Sequence, residues 1–342
     1  MNILITGGAG FLGRGLATAL LQRGQLAGRD IQRVMLADLV APQDPSLLDD
    51  ERVSVSTGDL LAHVPALMAA GPWDAVFHLA SAVSGECEAN FDLGLHANLD
   101  STRALLDACR DQTAAGHAAP MFFFSSSVAV YGSDAAIPLP AVVRDETLPT
   151  PQSSYGIHKF VCEQLVADYT RKGFIDGRAA RLMTVSVRPG RPNGAASGFL
   201  SGLFREPLAG EKSNCPVSLD TEVAMASPAT TIAGILAVAE ASREAFGGRT
   251  AVNLPALTVS VREMLHAFEA LVGPEPLKLV SCEPDENIAR IVAAWPSRFE
   301  SRRAPALGLR PDPDFDSVLR QYLQHHPDAV THPGARAHLG WL

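Results

Sequence analysis

Positive charge is in deficit in this chain. Lysine and arginine total 28 against 37 aspartates and glutamates, for a formal net charge of -9. That balance argues against nucleic acid as a partner, because a polyphosphate needs a basic face. Cysteine is scarce as well: there are five, at 87, 109, 162, 215 and 282, with no C-x-x-C pair and no metal-ligand spacing. We therefore expect no disulfide framework and no metal, and read the thiols as reduced in a cytoplasmic protein. No apolar run is long enough to cross a bilayer. The first strand starts at Met1 or Asn2, so we expect no cleaved leader. Internal repeats and low-complexity segments are also missing. Hydrophobic residues make up 47% and charged residues 19% of 342 positions, which fits a globular chain with a full core. The length suits one large or two modest domains.

What is present begins at the first residue. Ile3, Leu4 and Ile5 form a short apolar run ending at Thr6, and Gly7, Gly10 and Gly13 follow as G-x-x-G-x-x-G. Phe11, Leu12, Leu16, Leu20 and Leu21 then recur at helical spacing. This is strand, glycine turn, helix. Glycines let a backbone turn tightly and approach a ligand. The free N–H groups that open the helix then face a pyrophosphate. A second apolar run from Val34 to Ala37 ends in Asp38, where an acid holds the adenosine ribose hydroxyls.

Strands and helices alternate through the first half. Strands are expected at Arg33–Asp38, Val53–Thr57, Ala75–Leu79, Met121–Ser125 and Leu182–Val187, with helices over Ala89–Arg110 and Ser154–Arg171. Alternation of this kind implies an α/β fold, a Rossmann-type doubly wound parallel sheet that binds ligands at the carboxyl ends of its strands. Beyond Gly190, proline and glycine become frequent. Helices expected at Pro228–Ala241, Val261–Val272, Asp285–Ala294 and Phe315–His325 are joined by long loops. We expect a cofactor domain over 1–190 and a smaller, mixed substrate lobe over 191–342, some of whose segments return to the first domain.

The chemistry is carried between Ser125 and Lys159. Tyr155 and Lys159, four apart in SYGIHKF, share one helix face. An ammonium there stabilises a phenolate and lowers a pKa that is near 10 in free tyrosine. A tyrosine tuned in this way moves a hydroxyl proton near neutral pH. The Ser125-Ser126-Ser127 run ends a strand and offers a hydroxyl to hold a substrate oxygen. Other groups weigh less. His78 ends an apolar strand and reads as a packed core histidine. His158 lies off the Tyr155/Lys159 face and reads as surface. Glu86 and Glu88 are either substrate contacts or a solvated loop, Arg298 to Arg303 read as a solvated face, and nothing around Cys87 suggests an activated thiolate.

With these pieces in place, the chain resembles the extended short-chain dehydrogenase/reductases, the superfamily of NAD-dependent epimerases and dehydratases. TGGAGFLG, Asp38, Gly58-Asp59-Leu60, His78-Leu79-Ala80, Asn98, SSSVAVYG and the Tyr155/Lys159 pair carry that resemblance. It implies Ser127, Tyr155 and Lys159 as catalytic residues and NAD as cofactor. The cofactor site it implies runs through Gly7, Gly10, Phe11, Leu12, Gly13 and Asp38. It continues through Asp59 and Leu60 at the adenine, then Leu79, Ala80, Ser81, Asn98 and Ser125. Tyr155, Lys159 and Pro189 complete it. It also implies a homodimer formed through a four-helix bundle over Asn90–Arg110 and Ser154–Arg171.

SAVSGECEANFDLGLHANLDSTRALLDACR, PQSSYGIHKFVCEQLVADYTRKGFIDGR and RPGRPNGAASGFLSGLFREPLAGE further resemble the D-erythronate dehydrogenase family, which oxidises the C2 hydroxyl of a four-carbon sugar acid. Met183 departs from it, standing where a proline is expected. A carboxylate beside the reacting carbon needs a cation or several donors. Arg191 and Arg205 are the cationic candidates, Ser84 and Asn193 the neutral ones, and Ser127 and Tyr155 complete the expected substrate site. Two other functions stay open at this point: a nucleotide-sugar epimerase that returns its hydride, and a dinucleotide sensor without catalysis. No membrane partner is expected.

Overall fold

A computed structural model describes residues 1–190 and 196–340. Its centre is a seven-stranded sheet in which every pairing is parallel. In chain order the strands and the helices that matter below are β1 (Asn2–Thr6), α1 (Phe11–Arg23), β2 (Arg33–Asp38), β3 (Val53–Thr57), α2 (Leu60–Ala69), β4 (Ala75–His78), α3 (Ser84–Ala89), α4 (Ser101–Ala114), β5 (Met121–Ser127), α5 (Ser154–Arg171) and β6 (Asp176–Leu182). The seventh strand, Val252–Asn253, comes from far along the chain and pairs with β6. The order is Val252–Asn253, β6, β5, β4, β1, β2, β3, so the direction of winding reverses beside β1. In such sheets the crevice at the reversal is where a dinucleotide lies.

Side chains on successive strand residues point to opposite faces, and each face has its own core. Ile3, Ile5 and Phe123 pack with Leu16 and Leu20 of α1. Leu4, Phe122 and Phe124 pack on the other face with Leu67, Leu105, Leu106 and Val166. The first core also takes in Ile235, Leu236, Val252, Leu254, Ala304 and Leu309. A third core is built around Phe204, Phe268 and Phe315, from helices Phe199–Leu208, Val261–Val272 and Phe315–His325. Beside it, Thr184–Val185, Glu222–Ala226 and Leu257–Ser260 form a three-stranded sheet.

Two elements differ from the pattern read in the sequence. The helix expected over Ala89–Arg110 is broken at Asn90, whose extended backbone (φ -143°, ψ 98°) ends α3 and whose side chain caps a new turn through Leu93 N at 3.0 Å. A π-helical turn, Leu95–Asp100, then precedes α4. Such turns insert a residue into the helix and re-aim a side chain; here that side chain is Asn98. The sixth sheet strand is Asp176–Leu182, not Leu182–Val187. Arg178 and Arg181 make that segment look polar. Both are buried and paired, with Asp176 and Glu163 respectively, which hides the strand from a search for apolar runs.

Candidate active site

The first wall of the site is the glycine turn. Gly7 has φ +74°, and a Cβ there would stand 2.7 Å from Ala80 N. At Gly13 a Cβ would stand 2.1 Å from Gly7 O, so only glycine lets α1 sit on the turn. The helix opens at Gly10 with no side-chain cap and no acid in its first turn. The N–H groups of Phe11, Leu12 and Gly13 therefore lack acceptors within the helix and suit a pyrophosphate. Asp38 stands beside them at the end of β2, accepting from Ala9 N at 2.9 Å and Leu39 N at 2.7 Å. At the end of β3, Asp59 caps α2 through Ala62 N at 3.0 Å, and its other oxygen meets His96 Nε2 at 2.8 Å. The bond from His96, then that from Ala62, holds the Asp59 carboxyl below its ordinary value. An uncapped helix start, a fixed acid on the next strand and a cradle that any Cβ would fill together fit NAD.

The second wall descends from β4. His78 is buried, with Nδ1 2.6 Å from Thr6 Oγ1 and Nε2 2.8 Å from Thr102 Oγ1. Burial, aided by Lys159, pushes its pKa down to about 3, so it is a neutral core histidine as expected from the sequence. Asn98, aimed by the π turn, accepts from Ala82 N at 2.7 Å and from Ser81 Oγ at 3.0 Å, and its amide donates to Ala82 O at 3.2 Å. It thereby fixes the loop that follows Leu79 and Ala80.

The third wall holds the candidate catalytic groups. Ser127 closes β5 and caps the turn Val128–Val130, its Oγ accepting from Ala129 N at 3.1 Å. Helix α5 starts on that turn. Ser153 caps it through Gly156 N at 3.1 Å, and Glu88 accepts from Ser154 N at 2.7 Å. A Cβ at Gly156 would be 2.1 Å from Ala129 O, so the helix approaches closely only because glycine follows Tyr155. The approach sets the Tyr155 phenol against the hydroxyls of Ser127 and Ser81. Lys159, 3% exposed, donates from Nζ to Ser125 O at 2.7 Å. Its nitrogen lies 5.0 Å from the centre of the Phe124 ring and 5.6 Å from that of Tyr155. Desolvation lowers its pKa to about 8. The phenol moves the opposite way from the sequence expectation: burial raises Tyr155 to about 12, Cys87 adds to the rise, and Ser127 and Ser81 oppose it. The ammonium serves the Ser125 carbonyl, so the chain's own groups do not ionise the tyrosine.

Known proteins match this chain in sequence and fold. Residues 3–225 match the NAD dependent epimerase/dehydratase family. This chain belongs to that family. It is an NAD-dependent oxidoreductase with the extended short-chain dehydrogenase/reductase fold. Among curated relatives it is 48% identical to D-erythronate dehydrogenase of Cupriavidus necator, over 95% of this chain and 98% of that protein. It is 38% identical to D-erythronate dehydrogenase of Haemophilus influenzae, over 95% and 99% of the two chains. A solved nucleoside-diphosphate-sugar epimerase from Agrobacterium tumefaciens superposes with a TM-score of 0.89 at 36% identity, over 96% and 95% of the two chains.

Within this family member, the substrate candidates sit as follows. Ser84 opens α3. Arg205 is buried in Phe199–Leu208, donating to Arg188 O at 3.0 Å and to Glu206 Oε1 at 2.5 Å. Arg191 and Asn193 fall outside the described residues. Pro189 follows Arg188, which burial and the Arg205 charge push to a lower pKa. Three side readings change. His158 is buried rather than on the surface, its ring 6.4 Å from that of Phe91 and beneath Gly94. Glu86 and Glu88 are helix caps, accepting from Val83 N at 2.9 Å and from Ser154 N. Arg298 does pair with Glu222 in solvent, but Arg303 reaches inward to Phe246 O at 2.9 Å. His96 and Gly156 were not singled out in the sequence. Gly156 carries a signal, being a helix-breaking residue next to Tyr155; His96 carries none.

Proposed function

We propose that this enzyme oxidises the C2 hydroxyl of D-erythronate to 2-oxo-erythronate, with Tyr155 as general base. The observation that carries the proposal is the third wall, where Ser127, Tyr155 and Lys159 converge from β5 and α5 in a chain 48% identical to a D-erythronate dehydrogenase. We assign 1–190 the cofactor and most of 191–342 the substrate, with Ser84, Arg191, Asn193 and Arg205 as its contacts.

Bound NAD supplies the acceptor for the hydride that leaves C2. The chain supplies the rest. Ser127 Oγ orients the substrate hydroxyl, and Tyr155 removes its proton as the C2 hydrogen departs with its electrons. Lys159, anchored on Ser125 O, holds the nicotinamide ribose. Asp38 accepts from the adenosine ribose, and the open start of α1 takes the pyrophosphate.

The test is a panel of small aldonic acids incubated with NAD⁺, following the reduced cofactor. D-erythronate should give net NADH and a 2-oxo acid. Silence on every small acid, with epimerisation of a nucleotide sugar and no net NADH, would refute the reading.

A further inference from the structure

Behind the reacting groups runs a buried polar chain that the chemistry above does not use. Glu163, one turn beyond Lys159 on α5, is 2% exposed. Its Oε1 accepts from Ser126 Oγ at 2.5 Å and from Arg181 Nε at 2.9 Å, and its Oε2 accepts from Arg181 Nη2 at 2.7 Å. Arg181 of β6, 5% exposed, lies 5.0 Å from the centre of the Tyr131 ring and also donates to its hydroxyl. Tyr131 in turn donates to Asn253 Oδ1 at 3.0 Å on the last strand of the sheet. Ser126 stands between Ser125, whose carbonyl holds Lys159, and Ser127, whose hydroxyl faces Tyr155.

A buried ion pair is a poor way to fill space. Apolar residues of similar volume are often as stable or more so. What the pair supplies is direction, because a guanidinium fork fixes both distance and angle to a carboxylate. Here the fixed carboxylate grips residue 126, and the flanking residues on either side belong to the site.

We propose that Glu163 and Arg181 are positioning residues for the reaction: acting through Ser126, they set the end of β5 against α5 and so place Ser127 and the Ser125 carbonyl relative to Tyr155 and Lys159. The proposal rests on the roles given above to Ser127, Tyr155 and Lys159. It has an electrostatic side too. The titratable groups facing Lys159 are His78 of β4, Cys87 of α3, and Tyr155, Cys162 and Glu163 of α5. His78 is neutral and burial raises both thiols, which leaves Glu163 as the carboxylate among them.

Three variants test this: Ser126→Ala, Glu163→Gln, and Glu163→Met combined with Arg181→Met. Each is assayed for kcat, for KM with D-erythronate, for its pH–rate profile and for its thermal midpoint. The Lys159 ammonium is titrated by NMR in ¹³C-lysine protein, which is tractable because the chain has only four lysines, at 159, 172, 212 and 278. Ser126→Ala should lose about tenfold in kcat at unchanged KM, the scale of a small misplacement of reacting groups. The double methionine variant should stay folded, though less stable than the parent because the buried Ser126 hydroxyl loses its acceptor, yet lose at least as much rate. A role in packing alone would leave the rate intact in a variant that stays folded. In Glu163→Gln, Lys159 should release its proton at lower pH, because a negative charge beside it is gone. The proposal is overturned if Ser126→Ala keeps the parental kcat, or if a folded double variant keeps both kcat and pH profile. Should the double variant fail to fold, Ser126→Ala and the Lys159 titration decide. Tyr155→Phe runs alongside. If it stays active, the catalytic assignment fails; if it is dead while the other variants are unaffected, only the positioning proposal fails.

Discussion

Replacing Asp38 with asparagine isolates the charge that should choose NAD over NADP. The Asp38 carboxylate is pinned by Ala9 N at 2.9 Å and Leu39 N at 2.7 Å, and an amide oxygen of the same shape can keep one of these bonds. The turn should therefore survive and only the charge disappear. A 2′-phosphate carries about 1.5 to 2 negative charges. At ~4 Å and an effective dielectric of ~20, one unit pair repels by about 4 kcal/mol. Asp38 is only partly buried, and screening reduces this to roughly 1–3 kcal/mol, or about ten- to a hundredfold in affinity. The charge-assisted bond to the ribose hydroxyl is worth about 1.5–3 kcal/mol to NAD. The variant should thus bind NADH about tenfold or more weakly and NADPH more tightly, so that their ratio shifts by roughly a hundredfold. Fluorescence titration of both reduced nucleotides reads this without any substrate. Equal affinity of the parent enzyme for the two, or an unchanged ratio in Asp38→Asn, would refute the reasoning.

Other outcomes follow from the same geometry. Tyr155→Phe should lower turnover by about 10²- to 10⁴-fold while NADH affinity stays within roughly twofold, since only the ionisable oxygen is lost; near-normal turnover would remove Tyr155 as the base. Because the chain raises Tyr155 to about 12, the protonated phenol dominates near neutral pH and the base form grows as pH rises. Oxidation should therefore speed up toward alkaline pH and the reverse reduction should not; a flat oxidation profile contradicts this. Arg191→Ala and Arg205→Ala, each tested on erythronate and on the neutral tetritol, should lose about ten- to a hundredfold in kcat/KM on the acid and less on the tetritol. Arg205→Ala should also melt lower, because Glu206 and the Arg188 carbonyl lose a donor.

The dinucleotide half was legible because its demands are local. A turn that needs Gly7 and Gly13 against other backbone leaves a fixed spacing in the sequence, and Asp38 must end the adjacent strand. Tyr155 and Lys159 were legible through helical spacing. What escaped depends on contacts between distant segments. The β6 strand carries two arginines whose partners, Asp176 and Glu163, neutralise them in the fold but not in a pattern of apolar residues. The break at Asn90 and the π turn serve Asn98, whose partner Ala82 belongs to another segment. The tyrosine pKa could not be read from spacing either, because desolvation and the Ser125 carbonyl, not the four-residue separation, decide what Lys159 does.

The most direct test uses D-erythronate carrying deuterium at C2 in place of hydrogen. With NAD⁺, the account predicts deuterated NADH in a one-to-one ratio with 2-oxo-erythronate, a slower rate than with the unlabelled acid, and loss of both products in Tyr155→Phe. Reduced cofactor without deuterium, or a labelled acid returned unoxidised while a nucleotide sugar is epimerised, would contradict it.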